Sequence, residues 1–344
     1  MTEPAPPPFP PPPDGKSGWP WTSDDDANPL RPGPRNNAAP RVTVITPSFN
    51  QAEYLEEAIR SVVLQDHPNL EDLLLDGGSS DGSVEIIERD GPWISFWVSE
   101  PDGGQAEAIN TAFRRATGEF ICWLNSDDVL YQGYVSRRVA EFGTREKIDL
   151  IYGDIDMGWD SGERSILHGE PPFFLDMLRT LRVAVPQQGA MWRRSTVEKL
   201  GGLDPRWRVV LDREFFLRIL HRGAAEYIPG LCGFFRQHDG AKSIAEATAW
   251  VNELPTMYSE LFAEENLEPS VRRLERETMA TVHLLCSDIL RAAGRWSGSL
   301  MHMAKAMRWH PTHAISSFFS ARLAGLRRRF SGQPGSTGTR QEPM

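Results

Sequence analysis

The sequence predicts an α/β fold: a doubly wound, mostly parallel sheet with helices on both faces, followed by a helical C-terminal extension. Three observations carry this. Over residues 41–150, near-continuous apolar runs of strand length alternate with apolar stripes at helical spacing, the pattern of parallel strands covered on both sides by helices. Each run stops at Gly, Pro, Asn or Asp, the residues that end strands in turns. From about Thr248 to Ala306 only helical stripes remain.

Taken in order, residues 1–40 hold nearly half of the 27 prolines, an Asp24-Asp25-Asp26 cluster and few aliphatic residues, which predicts a disordered Pro-rich tail. Val42-Thr43-Val44-Ile45-Thr46 is a β-branched first strand stopped by Pro47 and Asn50. Leu55, Ala58, Ile59, Val62 and Val63 follow the i, i+3, i+4, i+7, i+8 template of a helix with one buried stripe. Leu73-Leu74-Leu75 ends at Asp76-Gly77-Gly78-Ser79-Ser80-Asp81-Gly82, and a third run from Ile94 to Val98 ends at Glu100-Pro101-Asp102-Gly103-Gly104. A helix through Ala106, Ile109, Phe113 and Ala116 leads to a fourth strand, Ile121-Cys122-Trp123-Leu124, which runs straight into Asn125-Ser126-Asp127-Asp128. After about residue 150 Gly, Trp, Pro and Arg interrupt the periodicity as far as Trp207, and helical spacing returns at Phe215 to Leu220.

The formal charge of -10 over 344 residues excludes wholesale nucleic-acid binding, which needs a basic footprint. Cys122, Cys232 and Cys286 lie far apart, so neither a disulfide framework nor a zinc site is indicated and a reducing, cytoplasmic setting is expected. No signal peptide or membrane span is expected.

In doubly wound sheets ligands sit beyond the carboxyl ends of the strands, and here each such end carries polar residues. There is no GxGxxG and no GxxxxGK[ST], so a nucleotide would be held by another device. Carboxylates offer one: Asp76 can accept from nucleoside donors, and Asp127 with Asp128 can share a hard divalent cation that bridges to a diphosphate. Each motif has a plainer reading too. The Gly77 to Gly82 segment can be a turn that caps the next helix, and Asp127-Asp128 can cap a helix against its dipole.

The segments VTVITPSFNQAEYLEEAIRSVVLQDHPNLEDLLLDGGSSDGS and SEPDGGQAEAINTAFRRATGEFICWLNSDD resemble family 2 glycosyltransferases, the inverting nucleotide-sugar enzymes of GT-A fold. The resemblance spans roughly residues 41–245 in ordered blocks. It implies a catalytic domain with a nucleotide-sugar and metal half over 41–150 and an acceptor half over 151–245. By this resemblance Thr46, Pro47, Ser48 and Asn50 line the nucleotide pocket, Asp76 sits on the base, and Asp102 and Gln105 lie near the nucleotide or its phosphates. Asp127 and Asp128 match the family's metal and ribose carboxylates, with Asp128 the first choice as direct ligand of Mn²⁺ or Mg²⁺. The family often has Asp at the positions of Asn125 and Gly77.

Further on, Leu211-Asp212-Arg213-Glu214-Phe215-Phe216-Leu217-Arg218 resembles the acceptor-side segment and puts the catalytic base on Asp212, with Glu214 as the alternative. Phe235 to Ser243 resembles the segment that closes over the diphosphate, with His238 as a metal or phosphate ligand and Arg236 and Lys242 neutralising phosphate charge. Gln187 to Trp192 resembles acceptor-site sequence, and Trp192 or Trp207 is a candidate platform for a sugar ring.

Residues 246–330 are expected as a helical C-terminal extension, and 331–344 as a second disordered tail. No acidic residue occurs from Ile289 to Phe330, and Ile315, Phe318, Phe319, Leu323, Leu326 and Phe330 sit near helical spacing among arginines. Residues 313–330 therefore read as a helix for an anionic membrane surface on the inner face of the cell membrane, or as one packed on the acidic domain. The leading function is an inverting, metal-dependent transfer of a sugar from a nucleoside diphosphate sugar to a hydroxyl of a glycan or lipid-linked glycan. The alternatives are a sugar nucleotidylyltransferase, which shares the sheet but wants a Gly-rich basic loop after the first strand, and a non-catalytic nucleotide-sugar-binding protein.

Overall fold

The computed structural model describes residues 9–22, 36–159, 162–182, 185–242, 246 and 248–316. The chain divides into two units: one formed by residues 1–177 and 182–246, the other by 178–181 and 247–344.

In the first unit, strands β1 (Val42–Ser48), β2 (Leu70–Asp76), β3 (Phe96–Ser99) and β4 (Phe120–Trp123) alternate with helices α1 (Ala52–Val63), α2 (Ser83–Asp90) and α3 (Gln105–Arg115). All pairings among these four strands are parallel, in the order β3-β2-β1-β4. The expected α/β class therefore holds. Every residue of β1 is buried, as a central parallel strand requires. Val42, Val44 and Cys122 face one side with Ala58 and Val62 of α1 in a single apolar cluster. Each fully buried Val, Leu or Ile contributes roughly 1.5–3 kcal/mol, and this positions the polar carboxyl ends at one rim of the sheet.

The remaining strands complete a mixed nine-stranded sheet. They are β5 (Val129–Leu130), β6 (Leu150–Trp159), β7 (Arg164–Leu167), β8 (Met191–Arg193) and β9 (Ala225–Gln237), and the full order is β3-β2-β1-β4-β8-β6-β9-β5 with β7 on β6. Helices α4 (Tyr134–Gly143), α5 (Phe174–Thr180), α6 (Arg194–Leu200) and α7 (Leu211–Arg222) connect them. β8 runs antiparallel to both β4 and β6, while β9 runs parallel to β6 and antiparallel to β5. The last pairing matters most, because it brings Arg236, at the end of β9, and His238, just beyond it, beside Asp127 and Asp128, just before β5.

Residues 9–22 depart from the tail expected on composition. Phe9 and Trp21 are buried. Their rings lie 4.5 and 4.9 Å from the guanidinium carbon of Arg60, which also donates to the Pro10 carbonyl and pairs with Glu56. The Trp19 indole N–H donates to the Leu130 carbonyl at 2.7 Å. Aromatic faces and one buried cation thus order a segment that has too few aliphatic residues to order itself.

The second unit is helical: α8 (Trp250–Ala263), α9 (Pro269–Arg272), α10 (Glu275–Ala292) and α11 (Trp296–Trp309). Helices α10 and α11 are joined by Ser287 Oγ, which bonds the Ser299 hydroxyl and carbonyl, and by a buried His283–His302 contact of 3.2 Å between Nδ1 atoms. Of the arm read at residues 313–330, all beyond residue 316 lies outside the described residues, as does the 331–344 tail. Among the described residues no helix is long and apolar enough to cross a membrane.

Candidate active site at the strand ends

The carboxyl ends of β1, β2 and β3 form one wall. Asn50, at a positive φ of 52° that Asn tolerates, donates its backbone N–H to Ser79 Oγ and accepts the Ser80 N–H on its side chain. This ties the end of β1 to the Gly77–Ser83 loop. Asp76 is buried and saturated: it accepts from the Gly78 and Ser79 N–H groups and from the hydroxyls of Ser79 and Ser99. It shapes the loop rather than reaching into the crevice, which differs from the role on the base expected of it. Thr46 and Ser48 are buried in β1, with Pro47 between them.

At Gly77 an added Cβ would lie 3.2 Å from the Phe49 ring and 3.3 Å from Asp102 Oδ1. The Asp102 side chain thus occupies the room a side chain at 77 would need, and it is exposed. Phe49 is 60 % exposed at the mouth of this wall. Sequence reasoning passed over it; a large aromatic at the end of a fully buried strand was the available signal.

The opposite wall is a hydrogen-bonded network centred on Asn125. Its Oδ1 accepts from the Trp123 indole at 2.7 Å and from Gln105 Nε2 at 2.9 Å. Its Nδ2 donates to Asp128 Oδ2 and to Gln187 Oε1, both at 3.2 Å. Lys242 Nζ donates to Gln105 Oε1 at 3.1 Å, extending the chain to the segment after β9. An aspartate at 125 has no such donors, which accounts physically for the amide here.

Asp128 is fully buried. Its Oδ1 accepts the Arg236 backbone N–H at 3.0 Å, and its Oδ2 accepts Gln188 Nε2 at 2.9 Å as well as Asn125. Burial and the neighbouring Asp127 push its pKa well above the carboxylate range, against these three hydrogen bonds. Asp127 Oδ2 faces His238 Nε2 at 3.1 Å, and the His238 ring packs on Tyr54 at 4.8 Å. Asp127 and His238 therefore offer a carboxylate and an imidazole to one point. No group of three or more His, Cys, Asp or Glu able to hold a metal forms among the described residues. The donor set fits a divalent cation that takes few protein ligands and completes its shell with phosphate oxygens and water.

Arg236 departs from its expected role on phosphate. Its guanidinium points inward, donating to the Asp127 carbonyl at 3.0 Å and to Glu57 at 2.9 Å, with Tyr54 and Phe234 under it. It braces the Asp127-Asp128 turn. Trp192 and Trp207 are not sugar platforms either: both are buried, and Trp192 packs edge-on against Phe113 and Phe215.

Asp212 stands in the first turn of α7 and accepts the N–H of Arg213 at 2.7 Å. Burial raises its carboxyl above the usual range, and Arg213 and Lys242 pull it part of the way back. Lys242 thereby links Asp212 to Gln105 and the Asn125 network. Glu214 is held elsewhere: both its oxygens take the Arg218 guanidinium, at 2.6 and 2.9 Å, and Arg218 is itself anchored on the Leu200 and Gly202 carbonyls.

Residues 43–201 match the glycosyl transferase family 2 model. An uncharacterized glycosyltransferase of Mycobacterium tuberculosis is 32% identical over 187 residues, 53% of this chain and 69% of the relative. A PGL/p-HBAD biosynthesis glycosyltransferase of the same species is 28% identical over 224 residues, covering 63% of this chain and 85% of the relative. Among solved structures, the mannosyltransferase PcManGT of Pyrobaculum calidifontis, in complex with GDP-Man and Mn²⁺, superposes with a TM-score of 0.56 at 20% identity, covering 87% of this chain and 84% of that one. Residues 1–349 of S. aureus TarS superpose with a TM-score of 0.57 at 16% identity, covering 80% and 82%. The fold is thus of GT-A type, and the chain belongs to glycosyl transferase family 2 and is a glycosyltransferase.

Proposed function

We propose that the protein transfers a sugar, with inversion at the anomeric carbon, from a nucleoside diphosphate sugar to a hydroxyl of a glycan or lipid-linked glycan. The observation that carries this is one polar network: Asp128, beside the Asp127–His238 pair, is joined through Asn125 and Gln105 to Lys242, whose charge also bears on the buried Asp212. The nucleoside would lie between Phe49 and Asp102, with the base stacked on the Phe49 ring, near Thr46 to Asn50. Gln105 and Lys242 would stand by the phosphates.

Asp127 and His238 would hold Mn²⁺ or Mg²⁺, with Asp128 behind them fixing the turn through Gln188, Asn125 and Arg236. A divalent cation there supplies charge to the departing diphosphate, so that the leaving group needs no protonation. Asp212 acts as the base, accepting the proton of the acceptor hydroxyl as it attacks from the face opposite the diphosphate. A pKa raised by burial suits that task, because a base nearer the working pH takes the proton more readily. We place the reaction in the cytoplasm, on acceptors at the inner face of the cell membrane.

Thermal unfolding in the presence of Mn²⁺ or Mg²⁺ and a panel of nucleotide sugars tests the donor site. The right donor at about 100 times its dissociation constant stabilises by roughly 2.7 kcal/mol. If none of the panel raises the melting temperature, the donor assignment fails.

A further inference from the structure

The helical unit carries an exposed surface rich in large apolar side chains. On α11, Ser299, His302 and Ala306 are buried, and Ser299 and His302 bond to α10, which fixes the direction the opposite side must face. With roughly 100° between successive residues, the exposed arc centred opposite them carries Trp296, Leu300 and Met307 along one flank, and Met303, between that flank and the buried side, is half-buried. Trp296 is 63 % and Leu300 69 % exposed, and Met307 is exposed too. Arg308 and Met301 occupy the middle of the arc and Lys305 its other flank, and neither Lys305 nor Arg308 makes an ion pair with a described residue. Ile315, in the helical turn that follows, is also exposed.

We propose that this outer face of α11 docks on an anionic phospholipid bilayer, lying in the plane of the headgroups. Three features select lipid over a second copy of the chain. No acidic residue occurs between Ile289 and Phe330, while Arg291, Arg295, Lys305, Arg308, Arg322, Arg327, Arg328 and Arg329 do, so two such faces would set cation against cation. An exposed arc that sets Trp296, Leu300, Met301 and Met307 beside Arg308 and Lys305 is the composition of an interfacial helix. Fourteen residues make a helix of about 21 Å, short of the roughly 30 Å hydrocarbon core, so the helix lies along the surface instead of crossing it.

The proposal does not depend on the transferase reading. The test uses the full chain in co-sedimentation with vesicles of phosphatidylcholine alone or mixed with phosphatidylglycerol. Binding is expected only to the mixed vesicles and weakens as salt is raised. Leu300→Asp with Trp296→Asp removes two exposed apolar side chains, so folding is retained, as circular dichroism will show. Vesicle affinity falls roughly tenfold or more, because burying a carboxylate replaces burying hydrocarbon. Lys305→Glu with Arg308→Glu lowers affinity for mixed vesicles and leaves the melting temperature unchanged. Nucleotide-sugar thermal shifts are the same in all variants, which separates failure here from failure of the donor site. The proposal is overturned if the wild type ignores mixed vesicles, if the double Asp variant binds as the wild type does, or if sedimentation shows a dimer that the double Asp variant breaks.

Discussion

Replacing Asn125 by Asp restores the acid the family often has at this position, and it should nonetheless harm this protein. Asn125 donates to Asp128 and to Gln187 and accepts from Trp123 and Gln105. An ionised Asp keeps the two accepted bonds and loses the two donated ones. The bond to the Asp128 carboxylate alone is worth about 1.5–3 kcal/mol. In its place two carboxylates meet, which at about 4 Å and an effective dielectric constant near 20 adds repulsion of up to ~4 kcal/mol. The pair will relieve part of this by holding a proton, so the cost appears as pH rises. We expect Asn125→Asp to lose about 2–4 kcal/mol of stability at pH 8 without metal, and to lose much less at pH 5, where one carboxyl retains its proton and donates. Urea unfolding at the two pH values measures this. Equal midpoints for variant and wild type at pH 8 in the absence of divalent metal would refute the reasoning and show that the amide network carries no weight.

Other outcomes follow from the same site. Asp212→Asn should cut turnover by roughly 10² to 10⁴ while donor-induced stabilisation persists; Glu214→Gln should act mainly on stability through Arg218, and a reversal of the two would move the base. Because burial lifts the Asp212 carboxyl and Lys242 lowers it, kcat/KM should rise with pH along a limb above the ordinary Asp value. Lys242→Met should move that limb to still higher pH, and a shift the other way would exclude Asp212 as the titrating base. Asp72 is buried with no partner for either oxygen among the described residues, and burial lifts its pKa to about 7. In the folded chain its protonated form is favoured, so stability drains away between about pH 4 and 7. Asp72→Asn should therefore raise the melting temperature at pH 8 and not at pH 4. His283 has the opposite sign: burial, with help from His302 and Lys305, lowers it to about 4. Stability is complete above its unfolded value near 6.5 and is lost as pH falls toward 4, and His283→Gln should blunt that acid loss in calorimetry.

The parallel half of the sheet was legible because its strands are buried on both sides and write themselves as unbroken apolar runs. Val42 to Thr46 and Leu73 to Leu75 are of this kind. The antiparallel half was not: β6, Leu150–Trp159, mixes Gly153, Asp154, Asp156 and Gly158 into its length, and β5 is two residues long and owes its existence to β9. Site residues at strand ends could be found because topology alone puts them there. Their roles were harder to read. Whether Asp76 or Asp102 opens outward, or Arg236 points out or in, depends on which hydrogen-bonding groups fold back onto them. Those are the N–H groups of Gly78 and Ser79 and the carboxylate of Glu57, partners the linear sequence does not reveal. Gln188, the closest amide on Asp128, lies 60 positions away in sequence.

The cage around Arg60 has a consequence for where this domain begins. Trimming to residue 41, the boundary that composition recommends, removes Phe9, Pro10 and Trp21 together and leaves a guanidinium facing the space they filled, with Glu56 as its remaining neighbour from α1. Arg60 then needs either water in that space or a rearranged helix, and α1 is the helix whose Glu57 holds Arg236 and whose Tyr54 backs His238. A shortened protein would therefore show its damage in catalysis as well as in solubility, through a chain of side chains leading from a proline-rich segment to the Asp127–His238 pair.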